Sequence, residues 1–338
     1  MTIGRRSLLK GAFATGLVSG LSGCDSDTTP SANKISFQAS WINDAEFLGY
    51  FSALDPENNF YEKLGIDLDY LPGGPQVIPE SSLLSGRAQI ALTTPETTAQ
   101  YIARDGVAFV IIGAQYQRNP IGVVSLASNP IPNATALVGK KLAVAPVNRL
   151  TVEAMFRLND INPDSVELIP YTYDPQILIN GTADATIDFV TNVPYAIKKA
   201  GVEPESFLLF DAGFKIYNDT VVVKREFLDA NFEACASFLA ASILGWKKVY
   251  DSGSQEAIAR RNASSWFKGN GREIGNEIEF AANQLPLMES PQGFFNMSER
   301  GIRQNIESLQ LLGLEVSPEI FDTKPLARAL QLVGAMSA

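Results

Sequence analysis

Residues 35–75 alternate, change to a helical period and alternate again, and this succession restricts the fold more than any other stretch. Ile35 and Phe37 stand between polar neighbours, the pattern of a half-buried strand. Asn43 reads as a helix N-cap with Glu46 three residues on as its capping-box partner. Phe47, Tyr50, Phe51 and Leu54 fall on one helical face, and Asp55-Pro56 stops the run. Gly65 ends a second short turn of helix. Ile66, Leu68 and Tyr70 then alternate with Asp67 and Asp69 before the sharp turn Pro72-Gly73-Gly74-Pro75. Strand, helix, strand builds a parallel sheet, and such sheets bind ligands beyond the carboxyl ends of their strands. Trp41, Gly73 and Gly74 sit at those ends, where the glycines can bare backbone N–H groups.

The same rhythm continues. A helix is expected over 77–84, a strand over 88–92, and a helix opened by Thr94 as N-cap and Pro95 at N1 that ends at Asp105-Gly106. Residues 107–112 are continuously apolar, as in a central parallel strand, and 115–120 read as a polar loop. Residues 121–126 are expected to cross into a second lobe. There strands over 142–145, 166–169, 185–189 and 207–210 alternate with helices over 151–158, 174–179 and 193–200, the last capped by Asn192. The β-branched run 220–223 is the return. From Glu226 the pattern turns helical, over 231–250, 255–267, 273–283, 298–312 and 325–333. The expected fold is α/β: two doubly wound lobes, 34–119 plus 223–338 and 120–222, joined by a two-strand hinge and finished by a helical C-terminal tail. A chain of 338 residues is long enough for both.

The N-terminus reads as an address. Gly4-Arg5-Arg6-Ser7-Leu8-Leu9-Lys10 matches a twin-arginine export signal, and the apolar stretch 11–21 that follows is too short to span a membrane. Leu21-Ser22-Gly23-Cys24 resembles a bacterial lipobox, which implies removal of residues 1–23, lipidation of Cys24 and a flexible tether over 24–33. The protein is then expected outside the cytoplasm, on the periplasmic face of the inner membrane or the outer cell surface. Without residues 1–23 the 27 basic residues fall to 24 against 37 acidic ones, which excludes nucleic acid as a partner. The chain has no histidine, so Ser-His, Cys-His and zinc-histidine chemistry are excluded. Cys235, the other cysteine, falls in an apolar helix and reads as inert core. No catalytic residue, metal or cofactor is expected.

Trp41-x-Asn43, Gly49-Tyr50, Tyr61, Gly65-Ile66 and Pro72-Gly73-Gly74 together resemble the opening of the thiamine-pyrimidine group of substrate-binding proteins. These serve bacterial ABC importers and belong to the broader sulfonate/nitrate/taurine-type binding proteins. Later motifs keep the family's order through about residue 312. Tyr116-Gln117 precedes Asn119-Pro120, Asn192 follows Asp188 at a strand-to-helix turn, and Tyr217 follows Asp211-x-Gly213. Val193 replaces an acidic residue common in the pyrimidine group. The resemblance implies a type II periplasmic binding protein, a monomer whose lobes close on a ligand that it passes to a permease and ATPase. It implies Trp41, Asn43, Glu46, Gly73, Gly74, Glu96, Tyr116, Gln117, Asp188, Asn192 and Tyr217 as ligand-binding candidates, with Glu46, Glu96, Asp174 and Asp188 as the carboxylates from which to choose. The implied ligand is a small aromatic heterocycle, first a hydroxymethyl- or formamido-aminopyrimidine. Riboflavin and sulfonate- or nitrate-type anions are the alternatives. A related pyrimidine-forming synthase consumes its own histidine, so this chain does not fit it.

Overall fold

The computed structural model describes residues 33–251 and 271–337, all within the compact unit Ala32–Ala338. The expected signal peptide, Cys24, the expected tether up to residue 32 and the helix expected over 255–267 lie outside the described residues. Asn33, expected in the tether, already belongs to the first strand, its N–H donating to the Gly65 carbonyl at 2.9 Å.

The first sheet starts with β1 (Asn33–Gln38), β2 (Ile66–Leu71), β3 (Ile90–Thr93) and β4 (Phe109–Tyr116). The chain then builds a second sheet from β5 (Ile121–Leu126), β6 (Lys141–Val144), β7 (Glu167–Pro170), β8 (Ala185–Phe189) and β9 (Pro204–Leu208). It returns to the first with β10 (Asn218–Lys224). The strand orders are β2-β1-β3-β10-β4 and β7-β6-β8-β5-β9. β1 runs parallel to β2 and β3, and β6 parallel to β7 and β8. The strands that follow the crossovers, β5 and β10, are antiparallel to their neighbours. β10 joins the first sheet from Asn218, so the β-branched run 220–223, expected as the return, lies within it.

The alternating segments bury one face, as their period requires: Ile35, Phe37 and Ile66 point inward while Asp67 and Asp69 are exposed. Thr94 caps the Pro95–Asp105 helix by accepting from the Thr97 N–H at 3.3 Å, and Gly106 ends it at φ 67°. β4 departs from expectation. All its residues are buried, yet it lies at the end of the sheet and is not central. A buried edge needs partners for its N–H and C=O groups. The C-terminal tail supplies them: Asp322 N–H donates to the Ile111 carbonyl at 2.9 Å, and Ala114 N–H to the Phe295 carbonyl at 3.2 Å.

The tail also holds the first helix. Helix Phe232–Asp251 lies on helix Leu48–Leu54 so closely that a Cβ on Gly49 would collide with the Trp246 indole, and one on Gly245 with the Gly49 carbonyl. Glycine at both places allows the backbones to touch. Phe37, Tyr50, Phe238 and Trp246 fill the core beneath them.

Candidate functional site

The chain leaves β1 through Ala39, Ser40 and Trp41 and enters a single 3-10 turn, Ala45–Phe47. Its cap differs from the sequence expectation. Asp44, not Asn43, takes the N-cap position, and its Oδ1 accepts from the Glu46 N–H at 3.0 Å. The Glu46 side chain is therefore not part of a capping box and turns inward. Ser40 Oγ lies 3.3 Å from Glu46 Oε1 and 3.0 Å from Asp219 Oδ1. The Glu46 and Asp219 carboxyls are within hydrogen-bond reach of each other. Gln115, at the end of β4, donates from Nε2 to the Glu46 carbonyl at 2.9 Å and to Asp219 Oδ2 at 3.4 Å. Asp219 itself is held in left-handed backbone at φ 48°.

One guanidinium faces these acids. Arg272 Nε pairs with Glu277 Oε1 at 2.6 Å, and its NH2 lies 3.7 Å from Asp44 Oδ2. The other Glu277 oxygen accepts from the Ala45 N–H at 2.6 Å, which ties the tail to the 3-10 turn. Among the described residues, four buried carboxyl groups thus meet a single cation. Burial pushes Asp44 up to about 7, with Arg272 pulling back and Glu277 adding to the rise. Burial first, and the neighbouring Asp219 second, hold Glu46 well above the carboxylate range. Burial also raises Asp219 and Glu277, Arg272 offsetting part of the rise at Glu277. Like charges this close do not all ionise in a dry site, so protons stay on the cluster.

The second sheet brings its own strand ends to the same place. Trp41 stands edge-on to Tyr173, ring centroids 4.9 Å apart at 63°. Asn192 occupies the N-cap position of helix Val193–Lys199 but makes no cap bond. Its Oδ1 instead accepts from Asn276 Nδ2 at 2.8 Å and from Arg272 NH2 at 3.4 Å. Glu96, in the first turn of its helix, lies beside Thr151 of the second lobe, and burial pushes it up to about 7. Asp188 ends β8 next to Tyr171, and burial raises it to about 6. The lobes meet over these groups: Glu46, Asp219, Glu96 and Asp188 are each less than a tenth exposed.

Other candidates have different places. Tyr116 belongs to the end of β4 and not to a loop, and its hydroxyl donates to Gln284 Oε1 at 2.7 Å. Gln117 Nε2 is spent on the carbonyls of Ala114 and Asn296, both at 2.9 Å. Gly73 packs against Ala39–Trp41 too closely for a Cβ, and its N–H donates to the Trp41 carbonyl at 2.9 Å, so it shapes the Trp41 loop. Gly74 follows at φ 153°, and Asn43 is half-buried beside Asp44. Tyr217 is not in the cleft. Its ring packs on Phe321 and its hydroxyl faces Ser298, because the residue before β10 points to the back of the sheet where the tail covers it. The Asp174 side chain is turned to its own chain, its Oδ1 accepting from the Gln176 N–H at 3.0 Å. Arg149 is exposed beside Glu153, and Arg118 is paired with Asp211 at 2.6 Å.

The sequence profile described as NMT1/THI5 like matches residues 44–255. The chain belongs to the NMT1/THI5-like family. Its fold is that of the periplasmic binding proteins. The periplasmic aliphatic sulphonate binding protein SsuA of Escherichia coli superposes with a TM-score of 0.67 at 13% identity, covering 88% of this chain and 94% of that one. The desulfurization enzyme DSZB gives 0.60 at 13%, covering 89% and 99%. A conserved Candida albicans gene product with the generic periplasmic binding protein fold gives 0.60 at 12%, covering 88% and 95%. No curated protein sequence matches the chain. The fold therefore accommodates a binding protein and an enzyme alike, and only the site separates them.

Sequence reasoning passed over Ser40, Asp44, Gln115, Asp219, Arg272 and Glu277. Asp44 carried a signal, since Asn-Asp-Ala-Glu offers two capping residues and the second was as good as the first. The pairing of Arg272 and Glu277 with a turn more than two hundred residues away carried none. Among the described residues no group of three or more His, Cys, Asp or Glu is placed to hold a metal ion.

Proposed function

We propose that the chain is the substrate-binding component of an ABC importer, exported and lipid-anchored through Cys24. In this reading it acts as a monomer that closes two lobes over a flat, donor-rich aromatic heterocycle and presents the closed form to a permease. A hydroxymethyl- or formamido-aminopyrimidine fits best. The observation that carries this is the acceptor-rich floor of the closed site. Glu46 and Asp219 are joined through Ser40, the residue before Trp41, and Trp41 meets Tyr173 from the other lobe. Carboxyl groups suit exocyclic amines and protonatable ring nitrogens, and aromatic walls suit a flat ring. An anion such as a sulfonate would face four carboxyl groups, while Arg272 is already engaged by Glu277 and Asp44. In this reading the ligand leaves the site chemically unconverted.

Calorimetry tests the reading. An aminopyrimidine is expected to bind with micromolar or tighter affinity, about −8 kcal/mol. Trp41→Ala is expected to weaken it by about tenfold or more, the loss of one aromatic wall. Tight binding of taurine or nitrate, with no heat from pyrimidines, would overturn the ligand assignment, and riboflavin binding alone would move it to the flavin alternative. Cys24→Ala is expected to leave the membrane fraction, since anchoring rests on its acyl chains.

A further inference from the structure

The Glu46–Asp219 pair has no cation of its own among the described residues. Arg272 is taken by Glu277 and turned toward Asp44. Glu46 is 4% and Asp219 2% exposed, and Ser40 Oγ, with a single hydrogen, reaches both. Two carboxyl groups so placed hold one proton between them. An independent observation marks the spot as a ligand contact. The Gln115 amide is oriented by its two Nε2 bonds at this pair, yet its Oε1, buried to 1% exposure, has no partner among the described residues. The Tyr50 hydroxyl, fully buried nearby, has none either. Asp219 stands in left-handed backbone at φ 48°, a conformation that aspartate tolerates better than most residues.

We propose that the Glu46–Asp219 pair stores one proton in the ligand-free protein and transfers it to a ring nitrogen of the bound heterocycle, so that the ligand is held as a cation between two carboxylates. The inference rests on the aminopyrimidine reading above. The transfer breaks one O–H bond on the pair and forms one N–H bond on the ring. The pair passes from one negative charge to two, the ring from neutral to one positive charge, and solvent exchanges no proton. Among the described residues, the titratable groups facing the pair are compatible with this. Tyr50 from the first helix, Tyr70 from β2 and Tyr116 from β4 are pushed far up by burial and remain neutral. Asp44 lies next in the same turn, held by Arg272 and the Glu46 N–H, and Glu277 is neutralised by Arg272. The ring edge would donate to the carboxylates and its amine to the orphaned Gln115 oxygen.

Ring protonation changes the ultraviolet band of an aminopyrimidine, so the bound state can be read directly. A hydroxymethyl-aminopyrimidine bound to the wild-type protein at pH 8, where the free ring is neutral, is expected to show the spectrum of its cation. Glu46→Gln and Asp219→Asn, each verified as folded by circular dichroism, are expected to return the bound ring to its neutral spectrum. Their affinity should fall about tenfold, as a charge-assisted pair becomes a neutral one. A neutral spectrum on the wild-type protein with binding intact would overturn the proton transfer and leave the aminopyrimidine reading standing. So would an unchanged cation spectrum in both variants. If calorimetry shows no binding of the pyrimidine at all, that reading falls and this inference with it.

Discussion

Two contacts join the Val193–Lys199 helix of the second lobe to the tail segment that contains Arg272 and the Ile274–Met288 helix, and the main difference between them is burial. On the outside, Lys198 Nζ meets Glu279 at 2.8 Å, Lys199 pairs with Glu273, and the Tyr195 hydroxyl donates to Glu273 Oε1 at 3.2 Å. On the inside, at the head of the same helix, Asn192 accepts from Arg272 and Asn276, and Arg272 pairs with the fully buried Glu277. The outer side chains keep their water, so salt screens them and side-chain entropy opposes them. The inner ones have been stripped of water, and each depends on the others for its charge. The outer contact can therefore break at little cost, whereas breaking the inner one would leave buried charge uncompensated.

The largest effect expected from this contrast is at Arg272. Arg272→Met leaves Glu277 and Asp44 without their cation. Urea unfolding is expected to show a loss of ~3–5 kcal/mol, the range for breaking a buried pair from one side. A loss no larger than that of a surface pair would erase the distinction between the two contacts.

Next comes a pH effect at another buried acid of the cleft. Glu96 is raised to about 7 in the folded protein by burial. A raised carboxyl stabilises the fold most below its unfolded value, about 4.3, and that contribution is lost as the pH rises through about 7. Glu96→Gln cannot ionise. It is expected to match the wild type near pH 4 and to exceed it at pH 8 by on the order of 3 kcal/mol. Equal pH profiles for the two proteins would mean that solvent reaches Glu96 far better than its burial suggests.

A smaller effect is expected from the outer pairs. Lys198→Ala with Lys199→Ala is expected to change stability by less than ~1 kcal/mol, and the difference should vanish in about 1 M salt. Small-angle scattering should show ligand-free double variant slightly more extended than the wild type, with ligand closing both to the same radius. Identical curves in all four states would mean that the outer pairs have no influence on how far the lobes close. The smallest effect concerns Tyr217, which packs behind the first sheet. Tyr217→Phe is expected to leave ligand affinity within about twofold, as for a site distant from the ligand. A larger loss by calorimetry would return this residue to the cleft.

Local pattern determined the parts of this protein whose causes are local. A period of two or of 3.6 residues reports which backbone geometry can bury one face, so the α/β alternation, the crossover strands and the helical tail could be read directly. Thr94-Pro95 and Gly106 marked their helix ends because capping is settled within four residues. Tertiary structure decided the rest. The apolar run of β4 says only that both faces are buried. That it lies at an edge covered by Phe295 and Asp322 depends on the tail. Asn192 has the chemistry of a cap, and only the arrival of Asn276 and Arg272 turns its oxygen outward from the helix. Trp41 and Glu46 were legible as site candidates because they stand just beyond a strand end. Asp219, Gln115, Arg272 and Glu277 were not, because what makes them a site is mutual distance between segments far apart in the chain. Such distances follow from sheet order and from the packing of the tail, and no short-range periodicity encodes either.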